Sequence, residues 1–532
     1  MGIILRNRKL ILISGLLFIL YFATRLYNIL DLQMFTDEAI YTRWSQIARF
    51  DANWRFISLT DGKQPSFVWI NMVIMRLVDD PLLAGRLVSV GAGFVGMVGM
   101  FFLGREIFKN SSAGLIAASL YLVYPFTLVY DRMALYESLV AASIIWGILF
   151  HVLLIRRRRL DMALVLGMII GFAVLTKSSG FFLIYLFPLS LLLFDFRQNN
   201  RVREFIKWVA LAGLSALMAY GFYSVLRLSP FFHIVSEKNG VFVYPFHDWI
   251  NHPLEFFRGN WNGLTDWLIS YSTVPLLIAM FGSLLIGGKK YLREKIFLLL
   301  WFVFPFIALA MFGRILIGGK KYLREKIFLL LWFVFPFIAL AMFGRILYPR
   351  FILFMTMPLL VLASFSLTHI LENMKNKIVI TGAFVLIFGF LVRSDFYVLT
   401  DLSRAPIAKA DTDQFVNAWP AGGGVREIVS FLREESKDKE IYVATEGTFG
   451  SLPTYATEIY LDEVKNIKKR GIWPTESQIP EDLVKKAEKM RVFYVFNDSK
   501  EAPPSWPVKL LSKYQKGIGN SYMSIYEVLP SR

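Results

Sequence analysis

Two adjacent carboxylates, Asp37 and Glu38, lie just after the first apolar run of the chain. In the segment FTDEAIYTRWSQIARF the apolar side chains recur at helical spacing, which predicts an amphipathic helix over residues 37–50 in the membrane interface. We expect Thr36 to cap this helix, so that both carboxylates lie in its first turn. Acidic residues there stabilise the helix dipole, but a carboxylate at this depth can also accept a proton as a general base.

Four cations and one further carboxylate stand in other short connections between apolar runs. They are Lys63 in GKQP, Arg132 and Glu137 in YDRMALYES, Lys177 in LTKSSG and Arg350 in YPRF. Each cation alone could be a charge that snorkels from the end of a span to the interface. Together they would place several cations and carboxylates on one membrane face, near Asp37.

The composition places most of the chain in lipid. Of its 532 residues, 56% are hydrophobic, and the mean hydropathy is +0.51, so a soluble fold of this size would have an apolar surface. The chain holds 49 Phe, 23 Tyr and 13 Trp, as expected where rings lie at membrane interfaces. It has no cysteine, which excludes disulfides and thiolate metal sites but indicates no compartment.

We predict an α-helical polytopic membrane protein with eleven or twelve transmembrane helices. The first is the N-terminal apolar run behind Arg6, Arg8 and Lys9, because no small-residue cleavage site for a signal peptide follows it. The other apolar runs lie near 82–104, 111–130, 138–155, 161–176, 180–195, 205–227, 266–286, 296–313, 327–344, 349–370 and 377–393.

Connections rich in Lys and Arg alternate along the chain with connections that hold few of them. This alternation predicts the orientation, with the N-terminus inside. The connections that should lie outside are 31–80, 131–137, 176–180 and 228–265. The formal net charge is +18, whereas residues 401–532 hold 19 basic and 19 acidic side chains, so the whole excess lies in the membrane part. Such a distribution indicates topology and contact with the lipid bilayer rather than nucleic-acid binding.

A change in composition predicts a membrane domain over 1–395 and a second domain over 396–532. Strand-like runs at 441–445, 492–496 and 521–529 alternate with amphipathic helices, which indicates a small soluble α/β domain. Glycines 422–424 resemble a phosphate loop only weakly, because no GK[ST] follows them. We expect this domain to be extracytoplasmic.

One segment recurs without a single change, since residues 285–315 and 316–346 are identical. Membrane repeats diverge with time, so perfect identity indicates a very recent duplication or an assembly error. Each copy contains one apolar run, so the duplication decides whether the chain has eleven or twelve spans. With the N-terminus inside, eleven spans place the C-terminal domain outside and twelve place it inside. We predict that one copy is spurious or does not span normally.

The order of these motifs resembles the GT-C glycosyltransferases, in particular the branch of protein O-mannosyltransferases and of aminoarabinose transferases that act on lipid A. The matching elements are Asp37-Glu38, the KQPSFVW segment, R-x-A-L-x-E at 132–137, LTK at 175–177 and PRF at 349–351. Glu137 stands where many relatives have Asp, and Phe351 where Tyr is usual. The resemblance covers about residues 1–395 and implies a polyprenyl-phosphate-linked sugar donor, an extracytoplasmic active site and inversion at the anomeric carbon.

The residue types suit such a reaction. A sugar leaves readily from phosphate once cations neutralise it, and the candidate phosphate-binding residues are Lys63, Arg132, Lys177 and Arg350. One carboxylate must take the proton of the acceptor. We predict Asp37 as this base, with a pKa raised by partial exclusion of water, and Glu38 and Glu137 as further catalytic candidates.

We expect no cofactor, and the use of a divalent metal stays open. The five histidines are scattered and resemble no metal cage. The acceptor could be a protein, a lipid or a glycan. A transporter or flippase of lipid-linked saccharides is the alternative function, but it would place ionisable groups at mid-span, whereas this chain concentrates them at the outer ends of spans.

Overall fold

A computed structural model describes residues 2–252, 254–286, 322–448, 450–475, 478–497 and 501–530. The helices of its first part are α1 Gly2–Leu26, α2 Thr36–Phe50, α3 Ser66–Ile74, α4 Pro81–Phe108, α5 Ser111–Leu122, α6 Pro125–Asp131, α7 Glu137–Arg157, α8 Leu160–Thr176, α9 Phe182–Tyr185 and α10 Arg201–Ser224. They continue with α11 Ile234–Phe242, α12 Phe246–Asn251, α13 Phe257–Ser272, α14 Val274–Gly282, α15 Leu323–Phe343, α16 Leu353–Asn373 and α17 Lys377–Thr400.

The prediction of a helical membrane protein is confirmed. Within the described ranges, six helices are long and apolar enough to cross a membrane, or eight if each of two bent pairs counts as one span. Three shorter apolar helices, Leu10–Leu26, Leu160–Thr176 and Ser178–Leu193, accompany them. The predicted count of eleven or twelve spans stays a prediction. The expected run at 180–195 is mostly 3₁₀ helix rather than a regular α-helix.

Two sharp breaks redirect the chain inside the bundle. The chain bends by 61° between α5 and α6 and by 101° between α13 and α14. In each pair a proline stands at the start of the second helix, where its missing N–H costs no helical hydrogen bond. The first break matters for the site, because α6 leads into the loop before α7, and α7 begins at Glu137.

The predicted interfacial helix is α2, and it begins one residue earlier than expected. The expectation that Thr36 caps it is wrong. Phe35 is the N-cap, and its backbone N–H donates to the Glu38 carboxylate at 3.0 Å. Thr36 uses its hydroxyl to donate to the carbonyl of Pro420 at 2.9 Å instead. The C-terminal part of the chain therefore already contacts the start of α2.

The C-terminal domain is built on a five-stranded mixed sheet. Its strands are β1 Ile441–Glu446, β2 Ile467–Ile472, β3 Arg491–Phe496, β4 Val508–Gln515 and β5 Tyr522–Val528, and its helices are α18 Lys409–Thr412, α19 Val425–Glu435, α20 Leu452–Leu461 and α21 Glu481–Ala487. The strand order is β2-β1-β3-β5-β4, with β2, β1 and β3 parallel to one another and β5 antiparallel to both neighbours. Separate apolar clusters cover the two faces of the sheet. The expected α/β domain is thus present, although β2 and β4 were not predicted.

This domain packs against the interfacial helix. Arg43 of α2 forms ion pairs at 2.9 Å with both Glu458 and Asp462 of the C-terminal domain. A β-bridge joins Phe35 to Ala421. The C-terminal domain therefore lies on the same face of the molecule as the first predicted outer loop.

The exact repeat is described in part only. Its second copy provides α15, which begins at Leu323. Most of the first copy, residues 287–315, lies outside the described residues. That one of the two copies is spurious or does not span normally therefore stays a prediction.

Candidate active site

Asp37 lies between two cations. Oδ2 of Asp37 is 3.0 Å from Nη1 of Arg350, and Oδ1 is 3.8 Å from Nζ of Lys63. Tyr41, one helical turn later on α2, donates a side-chain hydrogen bond to the same carboxylate. The Asp37 side chain keeps 17% of its surface exposed, so a ligand can reach it.

Arg350 links Asp37 to a second carboxylate. Its Nε atom lies 3.9 Å from Oε1 of Glu137, and the same oxygen accepts a 2.7 Å hydrogen bond from Lys177. The Glu137 side chain is 7% exposed, whereas that of Lys177 is 31% exposed. The Lys177 side chain can therefore move toward a ligand while the Glu137 carboxylate stays fixed.

The other end of the site joins two predicted outer loops. Lys63 lies 3.4 Å from Asp61, and Asp61 lies 2.5 Å from Lys238 of α11. The ion pairs thus run in one line, which we call the charge chain, and its members are Lys238, Asp61, Lys63, Asp37, Arg350, Glu137 and Lys177. Four cations alternate with three carboxylates, so the line has one positive charge in excess.

Several separate elements hold these side chains in place. Asp37 is in the first turn of α2, and Glu137 is the first residue of α7. Lys63 follows a left-handed turn at Gly62, which has φ +66° and lies so close to Lys238 and Ile234 that a Cβ would clash. Arg350 belongs to a 3₁₀ turn that precedes α16. The ends of helices and the turns between them therefore create the site.

Aromatic rings line the charge chain. Nζ of Lys63 lies 4.7 Å from the centre of the Tyr41 ring. The Arg350 guanidinium lies 4.6 Å from the ring of Tyr348, and Nζ of Lys177 lies 4.9 Å from that of Phe351. Such cation–π contacts hold the cations while leaving donor hydrogens for an anion.

The pKa of Asp37 is lowered below its ordinary value, although the opposite was predicted. Burial raises this pKa, but the charges of Lys63, Arg350 and Lys177 and the hydrogen bond from Tyr41 more than offset it. The prediction was wrong because it counted only the exclusion of water and not the two cations at contact distance. Asp37 is therefore ionised at neutral pH and can accept a proton.

Residues 62–222 match the profile of a family described as dolichyl-phosphate-mannose-protein mannosyltransferase. ArnT from Cupriavidus metallidurans has a similar structure over the whole chain, with a TM-score of 0.54 in its apo state and 0.52 when bound to undecaprenyl phosphate. In both structures the identity is 14%, and the alignment covers 98% of each chain. The resemblance to the GT-C glycosyltransferases is confirmed.

At 14% identity, the structural similarity shows an ArnT-like fold and nothing finer. The family match covers a segment that contains Lys63, Glu137 and Lys177 of the charge chain. Comparison with curated protein sequences found no significant match.

Glu38 lies outside the charge chain. Its side chain is fully buried, and its two oxygens pair with Arg86 at 2.9 and 2.8 Å. It also accepts hydrogen bonds from the backbone N–H groups of Phe35 and Ala134. Arg86 in turn donates to the carbonyls of Ile29 and Leu32. Glu38 thus fastens α2 to α4 and to the loop before α7, and it does not face the site.

Arg132 also lies apart from the charge chain. Its side chain is buried and donates to the backbone carbonyl of Tyr27 at 2.7 Å, with longer contacts to those of Asn28 and Val398. These bonds tie the end of α1 to α17. The structure therefore brings together five of the seven sequence-predicted residues and gives Glu38 and Arg132 structural contacts.

Three members of the site were not predicted. Asp61 could have been noticed, since it stands two positions before Lys63 in a polar loop. Tyr41 could also have been noticed, because it lies one turn after Asp37 on the same helix. Lys238 had no local signal, since only the fold of the second outer loop brings it to Asp61. Within the described ranges, no group of histidine and acidic residues is arranged to hold a metal ion.

Proposed function

We propose that this chain transfers a sugar from a polyprenyl-phosphate donor to a hydroxyl acceptor, with inversion at the anomeric carbon. The observation that carries the proposal is the position of Asp37 between Lys63 and Arg350. A carboxylate that accepts a proton and cations that bind phosphate are then in contact with one another. The undecaprenyl phosphate bound to ArnT supports a polyprenyl phosphate as the carrier.

The reaction needs one displacement. The acceptor oxygen forms a bond to C1 of the sugar, and the bond between C1 and the phosphate oxygen breaks. The hydroxyl proton passes to the Asp37 carboxylate, and the polyprenyl phosphate leaves with one additional negative charge. Attack from the face opposite the phosphate inverts the anomeric carbon. No general acid is needed, because phosphate leaves without being protonated.

The cations of the charge chain serve the leaving phosphate. Lys63 and Arg350 carry donor hydrogens at contact distance from Asp37, and Lys177 is the most exposed of these three cations. Their attraction for phosphate grows as its negative charge grows, so they stabilise the transition state more than the bound donor. The charge chain carries one positive charge in excess, which one bound anionic charge would neutralise.

Donor binding also changes the base. In the free protein, Lys63 and Arg350 lower the pKa of Asp37. A bound phosphate attracts the same two cations and weakens their hold on Asp37. The pKa of Asp37 should therefore rise when the donor is present, which makes the carboxylate a stronger base at the time it is needed.

We further propose that the site and the C-terminal domain are extracytoplasmic. The contacts between α2 and this domain put both on one face, and the basic connections predicted that this face is the outer one. Protease added to intact spheroplasts should cleave the C-terminal domain. Protection of the domain there, with cleavage after lysis, would contradict the orientation.

A transporter of lipid-linked saccharides is the second candidate. It would need ionisable groups along a path through the bundle. The buried pair Arg25 and Asp131, 3.5 Å apart, lies in the last turns of α1 and α6 rather than at mid-span. The charge chain likewise collects at helix ends and turns, which favours the transferase.

The proposal is tested in cells with and without this protein. Mass spectrometry of surface glycans, glycolipids and glycoproteins should reveal one sugar modification that disappears on deletion and returns with the wild-type chain. The Asp37→Asn chain, expressed to the same level, should not restore it. Restoration by that variant would contradict the proposed role of Asp37.

A further inference from the structure

A cleft opens between the C-terminal domain and the start of α2. It encloses about 360 Å³, within the range of about 300–1,000 Å³ that is typical of small-molecule sites. Thr36 lines it, and Thr36 immediately precedes Asp37. Adjacent Cα atoms are about 3.8 Å apart, so the cleft ends one residue before the one that bears the proposed base.

The cleft occupies the place where mixed α/β sheets bind their ligands. Glu446 is the last residue of β1, Asn497 directly follows β3, and Trp473 directly follows β2. All three line the cleft, so the carboxyl ends of the three parallel strands meet there. The crevice outside the carboxyl ends of parallel strands is the usual ligand site of such sheets.

The backbone around the cleft is held firmly. The carbonyl of Trp419 accepts hydrogen bonds from the Asn497 amide at 3.0 Å and from Lys516 at 2.8 Å. The backbone N–H of Thr36 donates to the carbonyl of Pro420 at 3.0 Å. The position of Trp419 is therefore fixed from both the sheet and α2, although its side chain is 51% exposed.

The lining combines two tryptophans with hydroxyl, amide and carboxylate groups. Trp419 and Trp473 are 51% and 60% exposed, an unusual exposure for the largest apolar side chain. The polar groups come from Thr36, Glu446, Thr448, Ser451 and Asn497. Aromatic faces pack against the C–H faces of sugar rings, while carboxylate and amide groups bind sugar hydroxyls.

Other ligand classes fit this lining less well. Among the described residues that line the cleft, Glu446 is the one that carries a charge, and its carboxylate disfavours a phosphate or another anion. Several of these polar groups already bond within the protein, as the Thr36 hydroxyl does to Pro420 and the Asn497 amide does to Trp419. Their remaining acceptor positions suit a ligand that carries donor hydrogens rather than a purely apolar one. A neutral molecule with many hydroxyl groups satisfies both conditions.

We propose that this cleft binds the saccharide part of the acceptor and presents one of its hydroxyls to Asp37. The inference rests on the proposed function, since it names the acceptor class for the same transfer. The acceptor of this chain is then a glycan or a glycolipid rather than an unglycosylated protein. The C-terminal domain acts as the acceptor-binding domain.

The test uses the full chain, purified in detergent, and two neutral probes, mannotriose and N,N′,N″-triacetylchitotriose. Saturation-transfer NMR measures binding without depending on indole fluorescence. At least one trisaccharide should bind the wild-type chain. Trp473→Ala and Trp419→Ala should each weaken this binding by about tenfold or more, with the thermal midpoint of unfolding unchanged. Trp54→Ala, at another exposed tryptophan in the first outer loop, is the control and should bind normally.

The same preparations separate this inference from the proposed function. Undecaprenyl phosphate should bind the two cleft variants as it binds the wild-type chain. Arg350→Met should bind the lipid about tenfold more weakly or worse and should keep the trisaccharide. The inference is overturned if neither trisaccharide binds, or if both cleft variants bind as the wild-type chain does. It is also overturned if pyrophosphate or a Ser/Thr-rich peptide displaces the trisaccharide.

Discussion

Nη1 of Arg350 lies 3.0 Å from Oδ2 of Asp37, although these residues stand near opposite ends of the membrane part of the chain. The contact joins the turn before α16 to the first turn of α2. It places the predicted base and a predicted phosphate-binding cation in one ion pair. A partly exposed carboxylate is thus held between two cations.

Removing either central cation should weaken donor binding. In Lys63→Met or Arg350→Met, one of the two cations next to Asp37 is lost, so the phosphate loses a charge-assisted hydrogen bond. Affinity for undecaprenyl phosphate, measured by isothermal titration calorimetry in detergent, should fall by about tenfold or more. Lys375→Met, at an exposed cation between α16 and α17, is the control. Unchanged affinity in both central variants would remove these residues from the site.

The pH dependence should differ between the free and the donor-bound protein. The pKa of Asp37 is lowered in the free protein, so the carboxylate stays ionised until the pH falls below its ordinary range. The rate constant kcat/KM should therefore show no acid limb from Asp37 between pH 5 and 8, whereas kcat should decline at a higher pH than kcat/KM does. An acid limb of kcat/KM near neutral pH would contradict the lowered pKa.

Glu38 should prove structural rather than catalytic. Glu38→Gln breaks a fully buried ion pair with Arg86 and leaves that guanidinium without its counter-charge. Losing one partner of such a pair costs about 3–5 kcal/mol. The thermal midpoint should drop sharply, while turnover per folded molecule at low temperature should change little. A stable Glu38→Gln protein with slow turnover would restore Glu38 as a catalytic auxiliary.

A buried carboxyl at the domain junction should make stability depend on pH. Asp411 in α18 accepts hydrogen bonds from Tyr130 at 2.7 Å and Tyr271 at 2.5 Å, and burial raises its pKa to about 7. The folded state keeps this proton up to about neutral pH, whereas the unfolded chain loses it near pH 3.9, so stability falls as the pH rises through this window.

Asp411→Asn removes that titration and keeps an oxygen for the tyrosines. Compared with the wild-type chain, its thermal midpoint should be higher by a larger margin at pH 8 than at pH 5. Equal differences at the two pH values would show that Asp411 does not titrate in this window.

The sequence predicted those parts of the fold that depend on local pattern. The apolar runs at 82–104 and 138–155 became α4 and α7, and the strand-like runs at 441–445 and 492–496 became β1 and β3. Strands β2 and β4 were missed because both are edge strands with weak apolar patterns: IKKRGI holds three basic residues and VKLLSKYQ holds two. Their strand conformation comes from pairing with β1 and β5, which no local pattern contains.

The site was predicted as a set of residue types and not as a geometry. Asp37, Lys63 and Arg350 were recognised because their positions at the ends of spans are visible in the sequence. The separation of Asp37 from its neighbour Glu38 was not visible, since it depends on the direction each side chain takes from the first turn of α2. The pKa of Asp37 was predicted with the wrong sign for the same reason, because the contacts with Lys63 and Arg350 exist only in the folded chain.

The most direct measurement of the central claim is the single-turnover rate of Asp37→Asn with a polyprenyl-phosphate sugar. Asparagine keeps the size of the side chain but cannot accept the proton, so the rate should fall by about two to four orders of magnitude. Donor affinity and the thermal midpoint should stay near the wild-type values. Asp51→Asn, at the other end of α2, is the matched control and should turn over normally. A folded Asp37→Asn protein that binds donor and transfers sugar at the wild-type rate would contradict Asp37 as the base.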